Sequence, residues 1–155
     1  MGELGYISKS QDNLNIAYNN LEEYLADLKK ALTTDHPRYK TLGTKVGDEY
    51  IQLNTAIIQI ENEYYSSIRP KRLVGSGERP INALREKGIE YVEIRALDNN
   101  IYDPFGISDE TAIFLESFLF YCLISEDQPC DADEINKIQN NWGTVVLSGL
   151  SLIHI

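Results

Sequence analysis

The sequence predicts an α+β protein with a mainly antiparallel sheet and flanking helices. Alternating, β-branched stretches fall near 50–65 and 89–97, and separate stretches with helical apolar spacing fall near 19–33 and 108–125. Strands and helices do not alternate strictly, as a parallel sheet would require.

Residues 1–18 read as extended or looped, with polar stretches around Ser8–Asn15. Asn19 or Asn20, both good N-caps, open a helix to about Thr33. Leu21, Tyr24, Leu25, Leu28 and Leu32 share one face of it, with Glu22, Asp27 and Lys29 outside. The segment Asp35–Asp48, holding His36-Pro37 and two glycines, reads as a loop. From Tyr50 to Tyr65 the alternation predicts a strand, with Ile58, Ile60 and Tyr64 on one side and Gln59, Glu61, Glu63 and Tyr65 on the other. Arg69–Val74 fits a short second strand, with Gly75-Ser76-Gly77 and Pro80 as punctuation after it. Ile81–Lys87 fits a short helix ending at Gly88. Ile89–Leu97 is the clearest strand. Ser108 caps a helix to about Ser125, and Asp131 or Asp133 caps a last one through Trp142 to about Leu147.

A length of 155 residues fits one domain, and 43% hydrophobic with 25% charged residues is ordinary globular composition. The net charge of −10 argues against nucleic acid or an anionic membrane surface as the main partner. Excess carboxylate suits divalent cations or cationic partners, but a solvated acidic surface is the commoner explanation of such a charge. Met1 is followed by no basic stretch and no apolar run of the secretory kind. The most apolar run, Ala112–Ile124, is interrupted by Glu116 and Ser117 and is too short to span a bilayer. Cys122 reads as core. Cys130 stands beside Asp131 and Asp133, whose charge disfavours its thiolate. Reduced thiols of this kind fit a cytoplasmic protein.

Chemistry concentrates in two places. On a strand through Ile89–Arg95, Val92, Ile94 and Ala96 face a core while Tyr91, Glu93 and Arg95 share the other side. If the 50–65 strand pairs with it, Glu61, Glu63 and Tyr65 join them, giving a floor of carboxylates with one guanidinium. Such oxygens suit Mg²⁺ between carboxylates and phosphates, and arginine offers a bidentate fork. A solvated sheet face with cross-strand ion pairs fits the same pattern. Second, Arg69, Lys71, Arg72, Arg79, Arg85 and Lys87 gather six of the 14 basic residues around the Gly75-Ser76-Gly77 turn. A flexible basic segment of this sort suits nucleotide phosphates, although it matches no Walker A loop or dinucleotide fingerprint. A charged surface loop accounts for it as well. No nucleophile signature and no zinc pattern is present, so catalysis here would rest on positioning and electrostatics.

Several segments resemble the proteobacterial type of glutamate–cysteine ligase. These are Leu4-Gly5-Tyr6 with Lys9-Ser10, the QIENE and YxxIRPKR stretches from Gln59 to Arg72, the Gly75–Glu78 turn, and GIEYVEIRALD from Gly88 to Asp98. Phe114–Cys122 and Asn141-Trp142 come after them in the same order, so the likeness spans nearly all of residues 2–149. It implies a glutamine-synthetase-like catalytic sheet. It also implies an ATP-dependent reaction in which the γ-carboxylate of L-glutamate is phosphorylated and the amine of L-cysteine attacks the acyl phosphate. Mg²⁺, ATP, L-glutamate and L-cysteine are the implied cofactor and substrates, with no nucleic acid or membrane partner.

By the same resemblance, Glu93 matches a metal-binding carboxylate. Arg95 matches an arginine that contacts glutamate or its transferred phosphoryl group. Tyr6 and Tyr65 match tyrosines lining the cysteine pocket. Glu61, Glu63, Arg69, Lys71 and Arg72 fall in the motif as a phosphate or metal neighbourhood without assigned roles. Ile7-Ser8 replaces a more polar pair. Tyr64-Tyr65-Ser66-Ser67 differs from the usual Leu-Tyr-Ala-Pro, keeping the tyrosine but loosening its loop. Two other functions stay open on the residues: a related ligase with another amine acceptor, and a small acidic binding module without catalysis.

Family members are several times longer, so residues 1–149 are expected to form part of a larger catalytic domain and to lack ligase activity alone. Leu150–Ile155 departs from the family and reads like translated transposon-adapter sequence, a non-native tail in which His154 is no ligand. A short apolar C-terminal strand is the other reading of it.

Overall fold

The computed structural model describes residue 11 and residues 14–152, with the side chains at 146, 147 and 149–152 left aside. Tyr6, the Leu4–Ser10 stretch and residues 153–155 lie outside the described residues. Two compact units divide the chain, residues 1–106 and 107–155.

In the first unit, α1 (Leu21–Thr33) begins where Asn20 accepts the Glu23 N–H through its side chain at 2.9 Å. That bond satisfies one of the amides a helix start leaves open, and Glu22 and Glu23 complement the helix dipole. Its apolar face buries Tyr24, Leu25, Leu28 and Ala31. With Ile16, Ile58, Tyr64, Ile81 and Leu84 these residues form the core. Truncating one such leucine to alanine costs about 2–5 kcal/mol, through lost transfer energy and a residual cavity. Ile81, Ala83 and Leu84 come from α3 (Pro80–Lys87), which packs on α1. Pro80 starts α3 without a missing bond, and Gly88, at φ 74°, closes it with its N–H on the Leu84 carbonyl.

Between α1 and α3 the structure departs from the sequence-based expectation. The predicted loop 35–48 contains α2 (Pro37–Leu42) and β1 (Lys45–Val46), which pairs in a hairpin with β2 (Glu49–Tyr50) just past the loop's expected end. Pro37 at the first helical turn and the two-residue turn Gly47-Asp48, with Gly47 at φ 63°, are what make these short elements possible.

The expected strand 50–65 does not form. Several of its backbone amides find side-chain acceptors instead of a neighbouring ladder, while Ile57 and Ile58 donate to the carbonyls of Thr34 and Ala31. Leu53 N–H donates to Gln59 Oε1 at 2.8 Å, Ala56 N–H to Asn54 Oδ1 at 2.8 Å, and Gln59 N–H to Glu63 Oε2 at 2.6 Å. Beyond Tyr50 in β2, only one bridge, Asp35↔Ala56, and a 3₁₀ turn, Glu61–Glu63, give it regular structure. Ile58, at 0% exposure, pins the segment to the core. Polar side chains competing for the backbone have overridden the period-two pattern.

β3 (Ile68–Lys71) and β4 (Tyr91–Ile94) make a second antiparallel pair, with Arg69 opposite Glu93. The strand expected over 89–97 is thus shorter, although Glu90 N–H to Lys71 O (2.9 Å) and Arg95 N–H to Ser67 O (2.8 Å) carry the ladder one step past each end. The described residues hold two separate two-stranded sheets rather than one larger sheet.

The second unit contributes α4 (Asp109–Ile124) and α5 (Ala132–Leu152). Ser108 caps α4, accepting the Thr111 N–H at 3.3 Å. The Glu110 carboxyl is held below its ordinary range by its own backbone N–H and the Ser108 hydroxyl. α4 is apolar around its circumference yet buries none of its side chains; Phe114, Phe118, Tyr121 and Ile124 all lie exposed. Cys122, expected in a core, is exposed with them. Asp131 caps α5 by accepting the Glu134 N–H at 2.8 Å. The helix runs past its expected end near Leu147 to Leu152, so positions 150–152 are helical and not a strand. Among the described residues no helix is long and apolar enough to cross a membrane.

Candidate functional site

The β3–β4 ribbon sorts its side chains by parity. Ile68, Pro70 and Val92 line an apolar cleft of about 310 Å³ with Tyr18, Tyr24 and Ile89. Val92 is therefore half-exposed at 40%, not the buried core residue that alternation suggested. The other parity carries Arg69, Lys71, Tyr91 and Glu93, and Arg95 stands just past the strand end.

On that polar side, Lys71 Nζ lies 3.4 Å from Glu93 Oε2. The approach is an ion pair without hydrogen-bond geometry, since Glu93 Oε2 is buried and has no hydrogen-bond partner. Arg69 is 5% exposed. Its Nη2 donates to the Asn62 carbonyl at 3.3 Å, while its Nε is buried and unpartnered. The ring of Tyr65 collects two guanidinium groups, Arg95 at 4.6 Å from its centroid and Arg69 at 5.7 Å. Cation–π attraction of this kind is worth about 0.5–2 kcal/mol depending on desolvation, enough to bias where both arginines rest.

The structure thus gathers Tyr65, Arg69, Lys71, Glu93 and Arg95 on one side of one ribbon. Glu61 and Glu63 arrive differently from the sequence-based picture, on the 3₁₀ turn and not on a strand paired with β4. Glu61 is bound by Arg79 Nε at 2.9 Å and borders a second cleft with Asn62, Arg69, Lys71 and Arg72. Glu63 is engaged locally by the Gln59 N–H, and its carbonyl accepts from Gln11 Nε2 at 2.8 Å. Arg72 points to the end of α3, donating through Nη1 to the carbonyls of Lys87 and Gly88, so it works as a helix cap. The basic segment 69–87 is consequently tied down rather than flexible. Glu78 accepts the Gly75 N–H at 2.9 Å and pairs with Lys87 at 2.7 Å. The Gly75 amide first, and then Lys87, hold the Glu78 carboxyl below its usual range.

Two further residues complete the surroundings, of which the sequence pattern had singled out Arg79 but not Asn62. Asn62 offers the carbonyl that anchors Arg69, and Arg79 neutralises Glu61. Behind the ribbon, burial pushes the Tyr24 phenol up to about 12, with Tyr18 adding to the shift and Arg69 opposing it. Burial raises Tyr64 further, helped by its 3.4 Å hydrogen bond with Tyr18. Arg79 was visible in the basic run; the role of the Asn62 backbone had no side-chain signal.

Among the described residues no three His, Cys, Asp or Glu side chains gather as a metal cage. The orphaned Glu93 oxygen fits one ligand position of a hard cation such as Mg²⁺, which ordinarily takes one or two protein carboxylates and completes its shell with phosphate and water.

Sequence and backbone comparisons identify similar known proteins. Residues 1–145 match the family profile described as glutamate-cysteine ligase. Among curated relatives, the glutamate–cysteine ligase of Yersinia enterocolitica is 45% identical, across 96% of this chain and 29% of its own length. That of Pseudomonas putida KT2440 is 48% identical, across 96% of this chain and 28% of its own. The crystal structure of glutamate–cysteine ligase from Francisella tularensis in complex with AMP superposes with a TM-score of 0.83 at 42% identity, covering 92% of this chain and 29% of that one. The chain therefore spans under a third of the length of these relatives. With a family match over residues 1–145 and a shared backbone, this chain belongs to the glutamate–cysteine ligase family.

Proposed function

We propose that this chain supplies one wall of the active site of an ATP-dependent ligase joining the γ-carboxylate of L-glutamate to the amine of L-cysteine. The observation that carries the reading is the convergence of Arg95 and Arg69 on Tyr65, beside a Glu93 oxygen left without a hydrogen-bond partner. The names of the curated relatives and the AMP in the Francisella structure support the substrates and the nucleotide.

In this reading a γ-carboxylate oxygen of glutamate attacks the terminal phosphorus of ATP, releasing ADP. The cysteine amine then attacks the acyl carbon, and inorganic phosphate leaves. Arg95 binds the transferring phosphoryl group or the glutamate, offering fixed N–H donors where negative charge develops. Tyr65, with Tyr6, lines the cysteine pocket; its ring also limits where Arg95 can swing. Glu93 would contribute one ligand to Mg²⁺, which when bound would neutralise crowded phosphate charge. Arg69, Lys71, Arg72, Glu61 and Glu63 form the surroundings, with Arg69 beside Tyr65 and Lys71 beside Glu93, and with Arg72 and Glu63 holding local structure. The β3–β4 ribbon belongs to a larger glutamine-synthetase-like sheet, and the reaction takes place in the cytoplasm.

The test is a chimera in which residues 1–145 replace the matching segment of the Yersinia enterocolitica ligase. ATP-dependent γ-glutamylcysteine formation is expected, with cysteine preferred over serine or 2-aminobutyrate. A folded chimera that makes no product contradicts the reading, and one that prefers another amine shifts it to a related ligase.

A further inference from the structure

Burial does little to hold Tyr65 in place. The residue is 49% exposed, whereas its neighbour Tyr64 is buried at 8%. It lies in the irregular stretch between the 3₁₀ turn Glu61–Glu63 and the start of β3 at Ile68. Ser66 and Ser67 follow it, and neither restricts the backbone as a proline ring would. A ring that is to meet a substrate from such a stretch needs its backbone tied, because a displacement of about 1 Å can cost a hundredfold in rate.

The tie comes from Gln11, far earlier in the chain. Gln11 Nε2 donates to the Glu63 carbonyl at 2.8 Å, and Gln11 Oε1 accepts the Tyr65 N–H at 3.4 Å. Between those two groups Tyr64 is extended, at φ −70° and ψ 116°. In an extended chain the carbonyl of one residue and the N–H two residues on share one edge, where a neighbouring strand would bond to both. A primary amide carries the same donor and acceptor as a peptide group. Gln11 therefore gives this edge what a strand would have given, at a single point.

Gln11 is itself anchored. Its own carbonyl accepts the Leu14 N–H at 2.9 Å, and Leu14 packs on the core in which Ile16 is buried. One residue further, the Ala17 N–H donates to Asp27 Oδ2 of α1 at 3.0 Å. Contacts thus run from α1 through Gln11 to Tyr65, whose ring receives Arg95 at 4.6 Å.

We infer that Gln11 is a positioning residue for the cysteine pocket: its side-chain amide fixes the backbone at Tyr65 and so the place of the ring. The inference rests on the reading of Tyr65 as a pocket residue, and Gln11 acts through that ring.

Two measurements test it. In the 155-residue chain, Gln11→Met keeps the side-chain length and removes both bonds. Amide hydrogen exchange at Tyr65 should rise about tenfold while α1, which reports the fold, stays protected. In the chimera carrying residues 1–145, the same substitution should raise KM for cysteine about tenfold and change KM for ATP less than about twofold. In a Tyr65→Ala background it should add nothing, because no ring is left to place. Unchanged exchange at Tyr65 overturns the inference, and so does a KM effect of equal size with and without the ring. A KM for cysteine raised by Tyr65→Ala but not by Gln11→Met sinks this inference alone. A KM that Tyr65→Ala itself leaves unchanged sinks the pocket reading and the inference with it.

Discussion

Arg69 and Glu93 stand directly opposite each other in the β3–β4 register, yet each keeps a buried polar atom with no hydrogen-bond partner. Opposite charges across a ribbon ordinarily satisfy one another. Here Glu93 leans toward Lys71 and Arg69 toward Asn62 and Tyr65. Leaving these two buried atoms without hydrogen bonds costs the ribbon stability.

That cost makes a first prediction. In the chain without substrates, Glu93→Gln should change stability by less than about 1 kcal/mol or even raise it, because the ion pair it removes is poorly made. In the chimera the same substitution should lower ligation by about a hundredfold, since a neutral amide is a poor ligand for Mg²⁺. Chemical denaturation and product assays check the two halves. A large stability loss with activity intact would make Glu93 a structural residue.

The phenols behind the ribbon set the alkaline limit. Tyr24 and Tyr64 have folded pKa values raised above the ordinary 10.0. Their neutral forms therefore contribute stability that is complete below pH 10 and is lost as pH rises toward the folded value, about 12 for Tyr24. Tyrosinate absorbance should show two of the ten tyrosines ionising late, together with unfolding. Tyr64→Phe, which removes one of these ionisable groups, should move the alkaline transition to higher pH; an unchanged transition contradicts the assignment.

At the acid end the sign reverses. The Glu78 carboxyl, lowered by the Gly75 amide and Lys87, contributes stability present above its usual 4.5 and lost as pH falls through the lower folded value. The 75–78 turn should loosen in that range. Glu78→Gln should flatten the loss of stability below pH 4.5 while weakening the fold slightly at pH 7, as read from denaturation midpoints across pH.

The apolar circumference of α4 predicts the behaviour of the chain by itself. A helix apolar on every face is normally enclosed. The 155-residue chain should self-associate in sedimentation velocity and bind a hydrophobic dye, and Phe114→Ser with Phe118→Ser should reduce both. It should form no γ-glutamylcysteine. A monomeric, dye-silent, active chain would contradict this.

Some of the fold was legible from residue order alone. Asn20 with its apolar spacing located α1, and Pro80 and Gly88 bracketed α3, because caps and periodicity are local signals. Parity along the GIEYVEIR stretch suggested Glu93 and Arg95 on one side, and Arg95 shares the Tyr65 ring with Arg69, the residue opposite Glu93. What failed was partner choice. The alternation from 50 to 65 suggested the strand beside β4, but Asn54, Gln59 and Glu63 intercept that backbone locally, and β3 takes the place. Strand pairing depends on segments distant in sequence, so neither the Arg69↔Glu93 register nor the isolation of Arg69 could be read in advance. The α2 helix and the β1–β2 hairpin were hidden because Pro37 and Gly47 signal a loop and the start of a short element alike.

The sharpest test of the proposed chemistry is the formation of acyl phosphate in the chimera, measured as ADP released from ATP and L-glutamate with cysteine omitted. Arg95→Ala should suppress this half-reaction by about a hundredfold or more. Tyr65→Ala should leave it largely intact while impairing the later step with cysteine. Acyl phosphate formed at an undiminished rate by a folded Arg95→Ala chimera would contradict the assignment of Arg95 to the transferring group.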